Sequence, residues 1–413
     1  RGGLAVRKHL SAAVAVLLCA GMLAVVGPTS VAGASSGFPP IPKGPITLGI
    51  SAPTSGALAS YGILTKIQTG IALQQFNMMH PNGIDGHQVK LDIENDASDV
   101  TSAVQVANQM VTNKDAAVIT ASYNPAAAGQ QLAVWTKAKM PVVANLELTN
   151  TLTPAQLAKQ YPYLFSPNPS LQQTGVAAIN WIKEKGFKNV GILNDGIPYD
   201  TVFANQIGAG VKKAVKNAKV TTVNITPNSV DNSAAITKLK GSGAQLLVVT
   251  AGEGYGPIWQ AILSANWSPT ILASAGAWYS GFDSMGTLTS KASAYYYNCA
   301  NTAAQTFTPV QNQLMAAYAK GTNYPAFVNY LTSLATDSIP LELLNYAITK
   351  YHSTSPAAIK KAIEGITSKQ FLGLSYKFSS TNHFGLVGTF GPAVCNMGPP
   401  YAGGVGRVPV KSS

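Results

Sequence analysis

The residues best placed to do chemistry sit in one short turn. Between Ile46 and Gly62 an apolar segment reads as a buried strand, and Pro53 and Gly56 break it. Ile63, Ile67, Ile71, Leu73 and Phe76 then recur at roughly helical spacing, which predicts a helix from about Tyr61 to His80. A strand, a small-residue turn and a helix set Ser51, Thr54, Ser55 and free backbone N–H groups at the carboxyl edge of a sheet. The adjoining helix N-terminus favours negative charge, so the chemistry on offer is the capture of a carboxylate. Because the same unit opens many α/β domains, the remainder of the chain has to decide what it means.

Catalysis finds no matching constellation. The histidines His9, His80, His87, His352 and His383 are far apart in sequence, and neither H-E-x-x-H nor a Cys/His zinc spacing occurs. There is no G-x-S-x-G elbow and no P-loop. Gly252-Glu253-Gly254-Tyr255-Gly256 follows a strand but lacks the third-glycine spacing of a dinucleotide fingerprint, so it reads as a tight turn or a close approach to a small ligand. His383 reads as a hydrogen-bonded turn residue. The expectation is a protein that is not an enzyme, with no cofactor and no metal.

The elements that must position the opening turn alternate along the chain. Strands at Gln88 to Glu94, Ala116 to Thr120 and Pro141 to Ala144 are separated by a helix from about Thr101 to Asn113 and by a helix that follows the loop Ala121 to Pro125 and runs to about Ala138. Such alternation implies right-handed crossovers and a parallel sheet covered on both faces, with ligands collecting at the carboxyl ends of the strands. An extended segment near Tyr163 to Pro167 interrupts the pattern, which resumes with strands at Val190 to Leu193, Val220 to Ile225, Leu246 to Thr250 and Thr270 to Ala273. Ala294 to Tyr297 and Phe371 to Phe378 read as two further passages between lobes. The fold class is therefore α/β, with two Rossmann-like lobes of parallel sheet joined by three crossing strands around a ligand cleft. Lobe one is expected to comprise 46–165 and 299–372, and lobe two 166–298 and 373–413.

Composition bounds the rest. At 413 residues and 46% hydrophobic content the chain supports well-formed cores in roughly two or three domains. Arg1, Arg7 and Lys8 precede an apolar run from Leu10 to Val26 and the small-residue segment Val31 to Ser35, which predicts a signal peptide over 1–34. A Pro-rich lead-in over 35–45 follows. The formal charge is +12, yet the basic residues are scattered, which argues against nucleic acid as a partner. Cys299 and Cys395, left after leader removal, form a disulfide candidate in an oxidising compartment.

Taken in order, several stretches resemble the type I periplasmic binding proteins, in the branched-chain amino-acid (leucine/isoleucine/valine) branch that serves ABC importers. They are Gly49 to Gly62, Asn82 to Gly86, Asn95 to Asp99, Asn194 to Tyr199 and Gly373 to His383. The resemblance covers nearly the whole chain after the leader. It implies a solute buried as two lobes close, an importer permease as partner, and no stable membrane insertion after signal cleavage. It also implies the site: Tyr61 as an aromatic wall, Ser122, Tyr123 and Asn124 around the ligand carboxylate, Thr149 nearby, and Tyr199, Glu253 and Tyr255 from lobe two. Where the family places an acidic residue for the ligand ammonium, this chain has Ser274-Ala275-Gly276-Ala277-Trp278-Tyr279 instead. Glu253 or Glu147 would have to substitute, or the solute lacks an ammonium; Trp278 would line an aromatic pocket suited to an apolar or aromatic carboxylic acid or amide. A ligand sensor of the same fold and an extracellular hydrolase are the alternative functions.

Overall fold

The computed structural model describes residues 37–56, 58–144, 146, 151–251, 254–273, 294–296, 338–372, 374–387, 394–396 and 407–408. The expected leader lies outside them. Strand β1 (Ile46–Ala52) is buried almost throughout. It pairs in parallel with β2 (Val89–Asn95) on one side and β3 (Ala117–Thr120) on the other. Strands β4 (Val142–Val143) and β5 (Leu164–Phe165) extend the sheet, giving the order β2-β1-β3-β4-β5. Helices α1 (Ala59–Met79), α2 (Val100–Asn113), α3 (Pro125–Ala138) and α4 (Pro154–Gln160) connect these strands.

The helix starts follow from local chemistry. Asp99 accepts from the Ser102 N–H to cap α2, and Asn124 caps α3 ahead of Pro125. Thr153 and Gln156 form a reciprocal capping box at α4. Each such cap contributes about 1 kcal/mol by satisfying N–H groups that a helix leaves unpaired.

The second lobe repeats the plan. Strands β6 (Asn189–Asn194), β7 (Lys219–Asn224), β8 (Leu246–Thr250), β9 (Thr270–Ala273) and β10 (Ala294–Tyr296) run parallel in the order β7-β6-β8-β9-β10. Helices α5 (Leu171–Glu184), α6 (Pro198–Ala214), α7 (Ser233–Gly241) and α8 (Tyr255–Ser264) flank them, and a Ser170/Gln173 capping box starts α5. Along β8, Leu246 and Val248 enter one core while Leu247 and Val249 enter the other. That alternation is the period of two that a strand imposes, and a strand covered on both faces is apolar at every position.

Two late helices, α9 (Ile339–Tyr351) and α10 (Pro356–Glu364), return to the first lobe, where Leu343, Leu344 and Ile359 share a core with Leu48 and Ile50. Here the sequence expectation needs correcting. Strands β11 (Lys369–Phe371), β12 (Leu374–Tyr376) and β13 (Leu386–Val387) form an antiparallel sheet, and Phe371, Tyr376, Phe378 and Leu386 join the same first-lobe core. Phe371 to Phe378 is therefore a hairpin packed on lobe one, and the passage to the second sheet comes after Val387. Tyr295 and Tyr296 likewise belong to the second sheet rather than to a passage. Strands β14 (Val394–Asn396) and β15 (Arg407–Val408) then add to β10 in antiparallel fashion. Cys395 stands opposite Tyr296 in that pairing, and Cys299 lies outside the described residues.

The chain leaves the first sheet from the carboxyl end of β5. Ser166 bridges to Phe384: the Ser166 N–H donates to the His383 carbonyl at 2.8 Å and the Gly385 N–H to the Ser166 carbonyl at 3.1 Å. The buried Tyr376 hydroxyl donates to the Pro167 carbonyl at 3.1 Å, so late residues hold this passage from two sides.

Candidate functional site

The switch point of the first sheet lies between β1 and β3, where neighbouring connections leave in opposite directions and open a crevice at the carboxyl edge. The turn after β1 is packed tightly there. Gly56 has φ +85°, and a Cβ on it would come within 2.0 Å of the Ala97 carbonyl oxygen, so only glycine fits. Gly62 touches the turn in the same way, since its Cβ would lie 2.2 Å from the Pro53 carbonyl oxygen.

Beneath the turn runs a buried hydrogen-bond network. The Ser51 hydroxyl donates to Asp96 Oδ2 at 2.7 Å, and the Ser98 N–H donates to Asp96 Oδ1 at 2.9 Å. Asp96 is fully buried and takes donors from the end of β1 and from its own loop, as a polar group away from water must. Gln131, on α3, donates to Ser51 Oγ at 2.7 Å and to the Ala103 carbonyl, and accepts from the Ser122 N–H at 2.9 Å. One side chain thus ties the ends of β1 and β3 to α2.

The structure sorts the expected site residues. Ser122 is buried at the end of β3; its Oγ accepts from the Asn124 N–H at 3.3 Å, and its own proton has no acceptor among the described residues. Tyr123 is 37% exposed, with its hydroxyl 2.8 Å from Thr65 Oγ1 on α1. Tyr199 sits half-buried in the first turn of α6. Asn124 is committed elsewhere. Its Oδ1 accepts from the Ala126 and Ala127 N–H groups and its Nδ2 donates to the Ser98 carbonyl at 2.9 Å, so capping replaces the expected ligand contact. Ser51 and Ser55 are engaged too, with Asp96 and Asn95 respectively.

Tyr255 is the larger correction. It is fully buried in the second-lobe core, its ring 5.1 Å from that of Trp259 and its hydroxyl donating to the Ala251 carbonyl at 2.7 Å. It is a core residue rather than a pocket wall. Thr149, Glu253 and Trp278 lie outside the described residues, as do Glu147 and Tyr279; Tyr61 has its backbone in α1 but its side chain is outside them as well.

Sequence reasoning missed several groups. Gln131 reads as an ordinary polar helix residue, and Thr120, last in β3, has a buried hydroxyl without a hydrogen-bond partner. On the second sheet Asn194 donates to Thr201 Oγ1 and Asn224 Oδ1, each at 3.2 Å, and accepts from Thr250 at 3.3 Å. Asp195 and Asp200 lie buried at the start of α6, Asp195 accepting from the Ile197 N–H at 3.0 Å. Their signal was the acid in Asn194-Asp195-Gly196, set directly after a strand.

Other polar groups lie away from this edge. A cavity of about 790 Å³ at the amino end of the first sheet is lined by His80, Asp85, Glu342, Tyr346, Lys350 and Lys369, among others. Glu342 faces His80 at 2.9 Å, and burial raises its carboxyl above the usual range despite that contact. Asp115, between α2 and β3, has both carboxyl oxygens buried without hydrogen-bond partners. Burial, with Asp92 and Glu94 nearby, pushes it up to about 7. Among the described residues no group of His, Cys, Asp or Glu is arranged to hold a metal ion, and no helix is long and apolar enough to cross a membrane.

Two sheets whose parallel strands follow the same order, with the chain leaving the first from the carboxyl end of β5, match the type I fold of the periplasmic binding proteins. The family model for periplasmic binding proteins matches residues 45–388, and the chain belongs to that family. It resembles the Leu/Ile/Val-binding protein BraC3 of Rhizobium johnstonii, 30% identical over 217 residues, which make up 50% of this chain and 54% of that one. The chain thus spans about half the length of the curated relatives it matches. Among solved structures, LivJ of Streptococcus pneumoniae, a branched-chain amino acid transporter substrate-binding protein in complex with isoleucine, superposes with a TM-score of 0.64 at 20% identity, over 88% of this chain and 99% of that one. An ABC transporter solute-binding protein from R. palustris in complex with 4-hydroxybenzoate gives 0.67 at 16% identity, over 89% and 97%.

Proposed function

We propose that this protein is an exported solute-binding protein that captures a small organic solute between its lobes and delivers it to an ABC importer permease. The observation that carries the reading is the carboxyl edge of the first sheet. There Gln131 and Asp96 fix the loops, and the Ser122 hydroxyl, whose proton has no acceptor among the described residues, is next to Tyr123 in the chain. A carboxylate-bearing solute with an apolar or aromatic body suits such an edge, because a fixed donor orients the charge and aromatic faces cover the rest. The fold neighbours support a class of this breadth, since one holds isoleucine and another 4-hydroxybenzoate. Closure follows from differential contact: a solute touching both lobes favours the closed form only by what it gains over binding one lobe.

The reading is tested by thermal shift of the full chain against branched-chain and aromatic amino acids, their deaminated acids and the corresponding amides. A solute at about 100 times its Kd stabilises by roughly 2.7 kcal/mol. Ser122→Ala is expected to reduce the shift given by any carboxylate-bearing solute while leaving the unliganded melt nearly unchanged. A flat response to every compound would count against the proposal, and turnover of any of them would favour the hydrolase.

A further inference from the structure

Basic residues that are scattered along the sequence gather in the fold. Residues 166–273 contain nine lysines, no arginine and no histidine. In a parallel sheet each helix ends where the next strand begins, so the last turns of α5, α6 and α7 meet at the amino edge of β6, β7 and β8. All nine lysines belong to that edge. Lys183, Lys185 and Lys188 come from the end of α5 and the turn after it. Lys212, Lys213, Lys216 and Lys219 run from the last turn of α6 to the first residue of β7. Lys238 and Lys240 close α7. Backbone bonds join the turns: the Lys219 N–H donates to the Lys188 carbonyl at 2.8 Å, and Gln245 Oε1 accepts from the Lys188 N–H at 3.2 Å.

Every one of these lysines is exposed, and none forms an ion pair among the described residues. Glu184 is the single described acid on this edge, whereas Asp195, Asp200 and Asp231 stand at the starts of α6 and α7, at the other end of the strands. A helix C-terminus favours a cation in its last turn, which accounts for Lys183, Lys212, Lys213, Lys238 and Lys240. Lys188, Lys216 and Lys219 lie beyond the helix ends, where that attraction falls away, and like charges gathered without counterparts repel one another.

The spread of the charge selects the partner. Helices α5 and α6 pack with Leu246 and Val248 on one face of the sheet, and α7 packs with Leu247 and Val249 on the other. The lysines therefore surround the end of the sheet on both faces instead of converging on one point, as groups that hold a small anion do. Charges distributed in this way meet an extended anionic surface, where each ammonium finds its own counter-charge. We propose that the amino edge of the second sheet docks this protein on a membrane surface of anionic lipid. The exported location is taken from the reading above, but the docking itself needs neither solute nor permease, so the two stand or fall separately. Docked through this edge, the sheet turns its carboxyl edge to solution.

Co-sedimentation of the full chain with lipid vesicles tests this. The wild type should bind vesicles of about 40% phosphatidylglycerol in phosphatidylcholine at least about tenfold more tightly than phosphatidylcholine alone at about 50 mM NaCl, and the preference should vanish near about 500 mM. Each lysine at the surface contributes about fivefold, so Lys212→Gln, Lys213→Gln and Lys216→Gln together should weaken binding to the anionic vesicles by about tenfold or more. Removing the same charge from the first lobe, by Lys90→Gln, Lys137→Gln and Lys159→Gln together, should change it by less than about twofold. All six side chains are exposed, and the apolar run near the start of the chain is common to every variant. Equal losses in the two triple variants, or a wild type without preference for phosphatidylglycerol, would overturn the proposal. Binding to soluble polyphosphate with no pelleting on the vesicles would also overturn it, assigning the edge to a soluble polyanion.

Discussion

The two sheets share one strand order yet anchor their carboxyl edges differently. In the first lobe a buried carboxylate, Asp96, sits at the centre, and Gln131 reaches across from a helix to bind two strand ends. At the matching place in the second lobe Asn194, Asn224 and Thr250 join adjacent strands side by side, and the buried Asp195 accepts from its own loop at the Ile197 N–H. A charge-centred network concentrates its stability in a few contacts, whereas a row of amides and hydroxyls distributes it. The first arrangement reaches across from a helix to fix two strand ends, and the second runs from strand to strand.

The contrast is broken most severely at Gln131. Gln131→Leu leaves the buried Ser122 N–H without its acceptor and takes the donor from Ser51 Oγ, and should cost about 3 kcal/mol in urea unfolding. The matching change in the second lobe, Thr250→Val, is expected to cost about 1 kcal/mol, and equal losses would refute the distinction.

Asp115 sharpens the comparison from the electrostatic side. Its carboxyl, at about 7 when folded and near 3.9 when free, stays protonated in the fold while the unfolded chain ionises. Stability from this group is therefore full at low pH, declines from about pH 4 to pH 7, and is flat above. Asp115→Asn should raise stability at pH 8 by about 2 kcal/mol, with the gain vanishing near pH 4, as read by denaturant titration at both values. The smallest effect is expected at Tyr255. Tyr255→Phe removes the buried bond to the Ala251 carbonyl and should cost about 1 kcal/mol, with solute affinity unchanged. A large loss of affinity would return Tyr255 to the pocket.

What the sequence made legible were features with local causes. The break at Pro53 and Gly56 and the apolar run of β8 each act within a few residues, and each appears in the structure where the sequence puts it. The strands β11, β12 and β13 have two or three residues each, too few to display a period, so their hairpin passed for a crossing. Gln131 went unnoticed, and Tyr255 was assigned to the pocket, for a related reason. A mid-helix glutamine and an aromatic after a glycine look exposed until tertiary packing brings Ser51 or Trp259 against them. Asn124 was read from its loop as a ligand group, although the Pro125 that follows it already marks a helix start.

The return of α9, α10 and β11 to β13 onto the first lobe has a consequence for the order in which the chain can fold. Residues 171–273 hold α5 to α8 and four adjacent parallel strands without interruption, so most of the second lobe can assemble from local contacts during synthesis. The first lobe begins earlier but finishes later. Leu48 and Ile50 meet Leu344, Ile359 and Tyr376 only after nearly the whole chain exists. Non-local contacts of that kind are slow to form, and until they do one face of the first sheet stays open to water. The half of the molecule that is made first is thus the half that stays longest within reach of chaperones.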